Sequence, residues 1–130
     1  MKRSERLSIA IVDDDESLCR SLGRLLRAAG MQPVAYRSAE AFLGDARQAP
    51  FDCLLLDVQL GGISGIELQR QLAASGGRTP VIFITAHDAP EAREQALAAG
   101  CTGYFRKTDS GAEVIEAICR AAARLSLDAD

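Results

Sequence analysis

The sequence has no excess of positive charge: 15 lysines and arginines face 18 aspartates and glutamates, for a net charge of −3. Phosphate backbones are bound through clustered cations, so direct nucleic-acid binding by this chain is not expected. No apolar run is long enough to cross a bilayer. The start, MKRSERLSIAIV, runs from a short apolar stretch straight into acids, which argues against a membrane span and a signal peptide and makes the cytoplasm the expected location. The four cysteines, Cys19, Cys53, Cys101 and Cys119, lack paired metal-type spacing and read as reduced, mostly buried thiols. Repeats and low-complexity tracts are also missing. At 130 residues, 48% of them hydrophobic, residues 1–130 read as one domain with one ordinary core, about 7–125.

Five short stretches rich in β-branched or aliphatic residues predict strands: Leu7 to Val12, Val34 to Tyr36, Cys53 to Val58, Val81 to Thr85 and Gly103 to Arg106. Between them the apolar spacing turns helical. Leu18, Leu22, Leu25, Leu26 and Ala29 make one stripe that stops at Gly30; Gly76 and Gly100 punctuate two later helix ends. Ser38 is placed to cap a helix over Ala39 to Ala46, and Ser64 one over Gly65 to Ala74. Pro90 suits the first turn of a helix that ends before Gly100. The last helix starts near Ser110, which with Glu113 resembles a capping box, and its apolar face runs through Val114, Ile118, Ala121 and Leu125. Strict alternation of strand and helix, with three strands apolar enough to be covered on both faces, predicts a doubly wound α/β fold around a parallel sheet. In such sheets ligands bind beyond the carboxyl ends of the strands, so the residues that follow each apolar run carry the functional information.

The first strand ends in Asp13, Asp14, Asp15 and Glu16, and the central strand delivers Asp57, which brings at least three carboxylates to one edge. Two like charges about 4 Å apart repel by roughly 4 kcal/mol at an effective dielectric near 20, so the cluster demands a cation. A few hard oxygen ligands, with places left for water and phosphate, suit Mg²⁺ better than Ca²⁺. Lys107 adds a positive charge after the fifth strand, and Thr85 ends the fourth with a hydroxyl that can donate to a phosphate oxygen. Each residue also has a plain structural reading. For Asp15 that reading, N-cap of the first helix, is preferred; Lys107 alone would pass for a solvated strand-end lysine. Asp57 resists such a reading, because it precedes a loop, Gln59 to Ile63, and would be left half-buried without a partner.

Four segments together carry a resemblance: IAIVDDDE around Asp13 and Asp14, LLLDVQLGGISG around Asp57, VIFITAH around Thr85, and GYFRK ending at Lys107. Singly each is weak; jointly the chain resembles a response-regulator receiver domain, the phosphoacceptor half of two-component signalling, from Leu7 to Leu125. The resemblance implies a five-stranded sheet in the flavodoxin-like order 2-1-3-4-5, for which a member of this family is a standard example. It implies that Asp57 takes a phosphoryl group from the phosphohistidine of a sensor histidine kinase or phosphotransfer protein. By the same resemblance Asp13, Asp14, Asp57 and the Gln59 backbone carbonyl would hold Mg²⁺, Lys107 and Thr85 would contact phosphoryl oxygens, and Ala86 is small enough to leave access. Tyr104 stands at the family's switch aromatic, against the plain reading of a half-buried edge-strand tyrosine. His87, the only histidine, and Gln59 would lie near the route of attacking water and tune dephosphorylation, unless His87 is merely a solvated loop residue.

The output surface implied is the face of the fourth helix, fifth strand and fifth helix, with homodimerisation there a possibility and the downstream effector unidentified. The chain departs from the family pattern twice. Thr108 stands where a proline in a cis peptide is usual; a cis bond before threonine costs about 3 kcal/mol, so a trans link with a shifted loop is expected. Gly61 stands where proline is frequent, so the loop with Gly61, Gly62 and Gly65 is expected to be more mobile. No DNA-binding helix pair follows Leu125, which fits a stand-alone regulator better than an excised receiver.

Rival readings are a phosphorylation-independent interaction module with the same fold and a small haloacid-dehalogenase-like phosphatase using Asp13 as nucleophile and Asp15 as acid. The second lacks a further acidic pair late in the chain. A flavin or nucleotide carrier is disfavoured by Asp13, Asp14 and Asp15, which repel phosphate.

Overall fold

The computed structural model describes residues 6–45, 50–86 and 89–128, with side chains as far as residue 124. Five parallel strands, β1 (Ser8–Val12), β2 (Gln32–Tyr36), β3 (Cys53–Leu56), β4 (Val81–Thr85) and β5 (Gly103–Arg106), form one sheet in the order β2-β1-β3-β4-β5. The connecting helices are α1 (Glu16–Ala28), α2 (Ala39–Leu43), α3 (Gly65–Ala74) and α4 (Pro90–Ala98), and α5 (Gly111–Asp128) follows β5. The doubly wound α/β fold and the flavodoxin-like order are as expected from the sequence.

Both faces of the sheet are apolar because successive strand residues point opposite ways and neither set is polar. Ile9, Ile11, Cys53, Leu55, Ile82 and Ile84 meet Leu22 and Leu26 of α1 and Val114, Ala117 and Ile118 of α5. Ala10, Val12, Leu54, Leu56, Val81 and Phe83 meet Phe42 of α2, Ile66 and Leu68 of α3 and Ala96 of α4. With Ser8 at its start the one polar residue of β1 and none in β3, the chemistry is forced to the strand ends.

The helix boundaries follow their caps. Asp15 accepts from the Leu18 N–H, Ser38 from that of Ala41 and Ser64 from that of Glu67, as read from the sequence. Pro90 opens α4, and the Ser110 hydroxyl accepts from the Ala112 N–H at the start of α5. Gly30, Gly76 and Gly100 all have positive φ after α1, α3 and α4.

The differences from expectation have local causes. β2 starts at Gln32, so Pro33 lies within it; an edge strand pairs on one side only and tolerates the missing N–H. β1 begins at Ser8 rather than Leu7, and β3 ends at Leu56 rather than Val58, because the chain turns into the loop at Asp57. Ala29 is the exposed C-cap of α1 and does not extend its buried stripe. α2 ends at Leu43 with Gly44 as its C-cap, short of the expected Ala46, which itself lies outside the described residues, as does the Leu125 side chain in α5. The peptide bonds among the described residues are all trans, including Lys107 to Thr108. There Asp109 closes the turn: its carboxylate accepts from the Arg106 N–H at 2.8 Å and its own N–H donates to the Arg106 carbonyl at 2.9 Å.

Among the cysteines only Cys53 is fully buried; Cys19 and Cys101 are half-buried and Cys119 is exposed, which corrects the expectation of mostly buried thiols. Burial pushes the Cys53 thiol up to about 12. Alkylation of the native protein followed by peptide mass analysis is expected to label Cys119 quickly and leave Cys53 untouched until denaturant is added. Equal labelling of the two would contradict the described core.

Candidate functional site

The sheet's hydrogen-bond ladder continues one step past three strand ends, and this is what aims the polar residues. The Asp13 N–H donates to the carbonyl of Tyr36 (3.0 Å), that of Asp57 to Val12 (3.1 Å) and that of Lys107 to Thr85 (3.0 Å). Asp13, Asp57 and Lys107 are therefore set on one rim by the backbone, before any side chain meets another.

The two carboxylates are then oriented alike. One oxygen of each accepts the N–H two positions along the chain: Asp13 Oδ1 from Asp15 (2.9 Å) and Asp57 Oδ1 from Gln59 (3.2 Å). The second oxygen of each turns to the same cation, with Lys107 Nζ 3.1 Å from Asp13 Oδ2 and 3.3 Å from Asp57 Oδ2. Asp15 Oδ2 is 3.8 Å from the ammonium, so Asp15 both caps α1 and extends the charge network.

The side chains of Asp13 and Asp57 are only 3% and 7% exposed, which makes their closeness costly. Burial, reinforced by the negative charge of Asp57, raises the Asp13 carboxyl to about 6, against the opposing pull of the Asp15 N–H and Lys107. Burial works against the Lys107 charge, but the hydrogen bonds and charges of Asp13 and Asp57 outweigh it and raise the lysine's pKa overall. The ammonium is held as a cation by the acids that it holds together.

An oxygen from each of Asp13, Asp14 and Asp57 lies within 4.8 Å of the others. Asp14 is exposed, so the cluster opens to solvent, in a pocket also lined by Gln59, Gly61, Ala86 and Lys107. An all-oxygen donor set at an open rim fits Mg²⁺, which takes few protein ligands and retains water.

Thr85 is completely buried at the end of β4 and does not line this pocket. Tyr104 pairs in register with Phe83, their rings 6.3 Å apart, and Arg93 of α4 sits 5.1 Å from the centre of the Tyr104 ring. His87 lies outside the described residues.

A sequence model described as the response regulator receiver domain matches residues 9–119. The chain belongs to the response regulator receiver family. The receiver is 36% identical over 124 residues to the response regulator protein TodT of Pseudomonas putida, a match covering 95% of this chain and 54% of TodT. It resembles the crystal structure of a response regulator receiver protein from Burkholderia phymatum at 43% identity and a TM-score of 0.79, covering 91% of this chain and 96% of that one. The crystal structure of FixJ-N matches at 33% identity and a TM-score of 0.82, over 92% and 95% of the two chains. The chain spans about half the length of the curated relatives that it matches. Family membership supports phosphorylation-based signalling and removes the phosphatase and carrier alternatives. Receiver domains generally bind Mg²⁺ at an acidic pocket, and here the pocket has its aspartate cluster.

Reading the sequence missed Glu40, whose carboxylate reaches the loop after Asp57, and Arg93, which covers Tyr104. Neither contact has a local signal, since Glu40 and Ile63 are 23 positions apart.

Because burial and crowding raise the Asp13 pKa, the ionised carboxylate at neutral pH works against folding. In chelator-treated protein at pH 7, Asp13→Asn is expected to raise the melting temperature by about 4 °C, on the order of 1 kcal/mol, while Lys107→Ala lowers it by at least as much. A fall with Asp13→Asn would contradict this account of the rim.

Proposed function

We propose that Asp57 accepts a phosphoryl group from the phosphohistidine of a sensor histidine kinase or phosphotransfer protein, and that the domain is a reversible switch. The observation that carries this reading is the Lys107 ammonium shared between Asp13 and Asp57 at an open rim. An Asp57 oxygen attacks phosphorus, a P–O bond forms, the P–N bond to histidine breaks, and the nitrogen keeps the bonding pair. Little covalent work is left to the protein, so rate depends on positioning and on neutralising charge at the transferred group.

Asp13, Asp14, Asp57 and the Gln59 carbonyl would hold Mg²⁺, which when bound supplies charge stabilisation at the phosphoryl oxygens. Lys107 already bridges Asp13 and Asp57 and is within reach of a group attached to Asp57. Thr85 shares a backbone hydrogen bond with Lys107, and its hydroxyl is the partner proposed for a phosphoryl oxygen. Tyr104 lies two residues along β5 from Arg106, the register partner of Thr85, and contacts both β4 and α4. A shift at Thr85 would be passed to the face of α4, β5 and α5, which would control a downstream partner or a homodimer. The net charge of −3 supports action through protein partners rather than nucleic acid, and the cytoplasm is the proposed location.

Intact-mass analysis after incubation with Mg²⁺ and a small phosphodonor is expected to show the gain of one phosphoryl group in the wild-type chain and none in Asp57→Asn. Lys107→Ala is expected to slow phosphorylation by about a hundredfold, the usual loss when one charge-stabilising group is removed. No adduct on the wild-type protein would favour the interaction module that works without phosphorylation.

Gln59 lines the pocket beside Asp57, and the Gln59 and His87 side chains are proposed to govern the approach of hydrolytic water. Loss of the phosphoryl group from phosphorylated Gln59→Ala and His87→Ala proteins is expected to differ from wild type by several-fold. Unchanged lifetimes in both would refute that role.

A further inference from the structure

We propose that Glu40 is a positioning residue for the cation site, tying down the loop after Asp57 so that Gln59 stays in place. The role rests on the Mg²⁺ reading given above. Glu40 lies in the first turn of α2, just past the carboxyl end of β2, and so faces the same rim as the acids. Its Oε2 accepts from the backbone N–H of Ile63 at 3.0 Å. The Ile63 and Glu40 N–H groups hold the Glu40 carboxyl below the usual carboxylate range.

The loop needs an external tie. Its first residues are fastened by the Gln59 N–H to Asp57 Oδ1, and its end by the Gly65 N–H to the Val58 carbonyl at 3.0 Å. Between them run Gly61 and Gly62, which supply no stiffness of their own. Gly62 has a φ of 80°, and a Cβ there would press into the Glu40 carboxylate. Glycine at 62 is favoured by the left-handed backbone conformation, and a side chain there would push the Glu40 carboxylate aside and dislodge the tie. The flexibility that the sequence suggests for this loop is countered from another helix.

A carboxylate near a cation site can act by charge alone, and the test separates the two roles. Glu40→Ala removes both charge and acceptor; Glu40→Gln removes the charge and keeps a carbonyl that can accept from Ile63. Amide exchange at Gly61 to Ile63 is measured without metal, and Mg²⁺ affinity by calorimetric titration. Glu40→Ala is expected to speed exchange about tenfold and weaken Mg²⁺ about fivefold, with Glu40→Gln near wild type in both. Unchanged exchange in Glu40→Ala overturns the proposal, as does a Glu40→Gln protein as weak for Mg²⁺ as Glu40→Ala. If the wild-type chain bound no Mg²⁺, the cation reading would fall with the role assigned to Glu40. That case is recognised by the absence of Mg²⁺ binding in the wild-type titration, whereas unchanged metal-free exchange in Glu40→Ala marks failure of the tie itself.

Discussion

The arrangement depends on one ammonium group placed between two buried carboxylates. Asp13 and Asp57 come from neighbouring strands, and their closeness is a consequence of sheet geometry that a short side chain cannot relieve. Lys107 reaches them from β5, two strands away from β3, so its side chain spans the end of β4 along the same rim. Screening by water is weak at this depth, which makes the bridge matter more than a surface ion pair would. It also leaves the site poised, because any anion added to Asp57 must compete with Asp13 for the same positive charge.

The rest of the fold serves that crowding. A sheet covered on both faces leaves little room for polar groups along its central strands, so Asp13, Asp57 and Lys107 occupy the first positions past the ladder. The same backbone hydrogen bonds that end the strands fix those positions, and the Asp13 and Asp57 carboxylates are locked by the N–H two residues on. Precision at the rim therefore comes from the hydrogen-bonded backbone at the ends of the sheet. The exposed Asp14 is the exception, and it is the acid left facing solvent where a hydrated cation would arrive.

What could be read in the sequence was whatever has a local signature. β4 and β5 were delimited correctly because one run begins after Pro80 and the other at Gly103, and each ends at a polar residue, Thr85 or Arg106. Asp57 stood out because it follows an apolar run directly, and Lys107 because it follows the fifth strand-forming stretch. The caps by Asp15, Ser38 and Ser64 were legible for the same reason. The start of β2 was not, since Gln32 and Pro33 have poor strand character and are recruited by pairing with Ser8 and Ile9. Two contacts between separated segments, Glu40 with Ile63 and Arg93 with Tyr104, left no local trace and are properties of the packed chain, whereas a cation from Lys107 beside the acids was expected.

The two places where the family's prolines are replaced show how a site keeps its shape by other means. Proline stiffens a loop by restricting φ, an effect present in the unfolded chain as well. Here Asp109 closes the turn after Lys107 with reciprocal hydrogen bonds to Arg106, around a trans peptide, and Lys107 still meets both acids. Beyond Asp57, Gly61 and Gly62 surrender that restriction, and a carboxylate from α2 takes up a backbone N–H instead. Stiffness supplied by a hydrogen bond can be released when a neighbouring helix shifts, whereas stiffness from a ring cannot. The loop beside Asp57 is thereby coupled to α2, an element with no direct share in the rim's charge network.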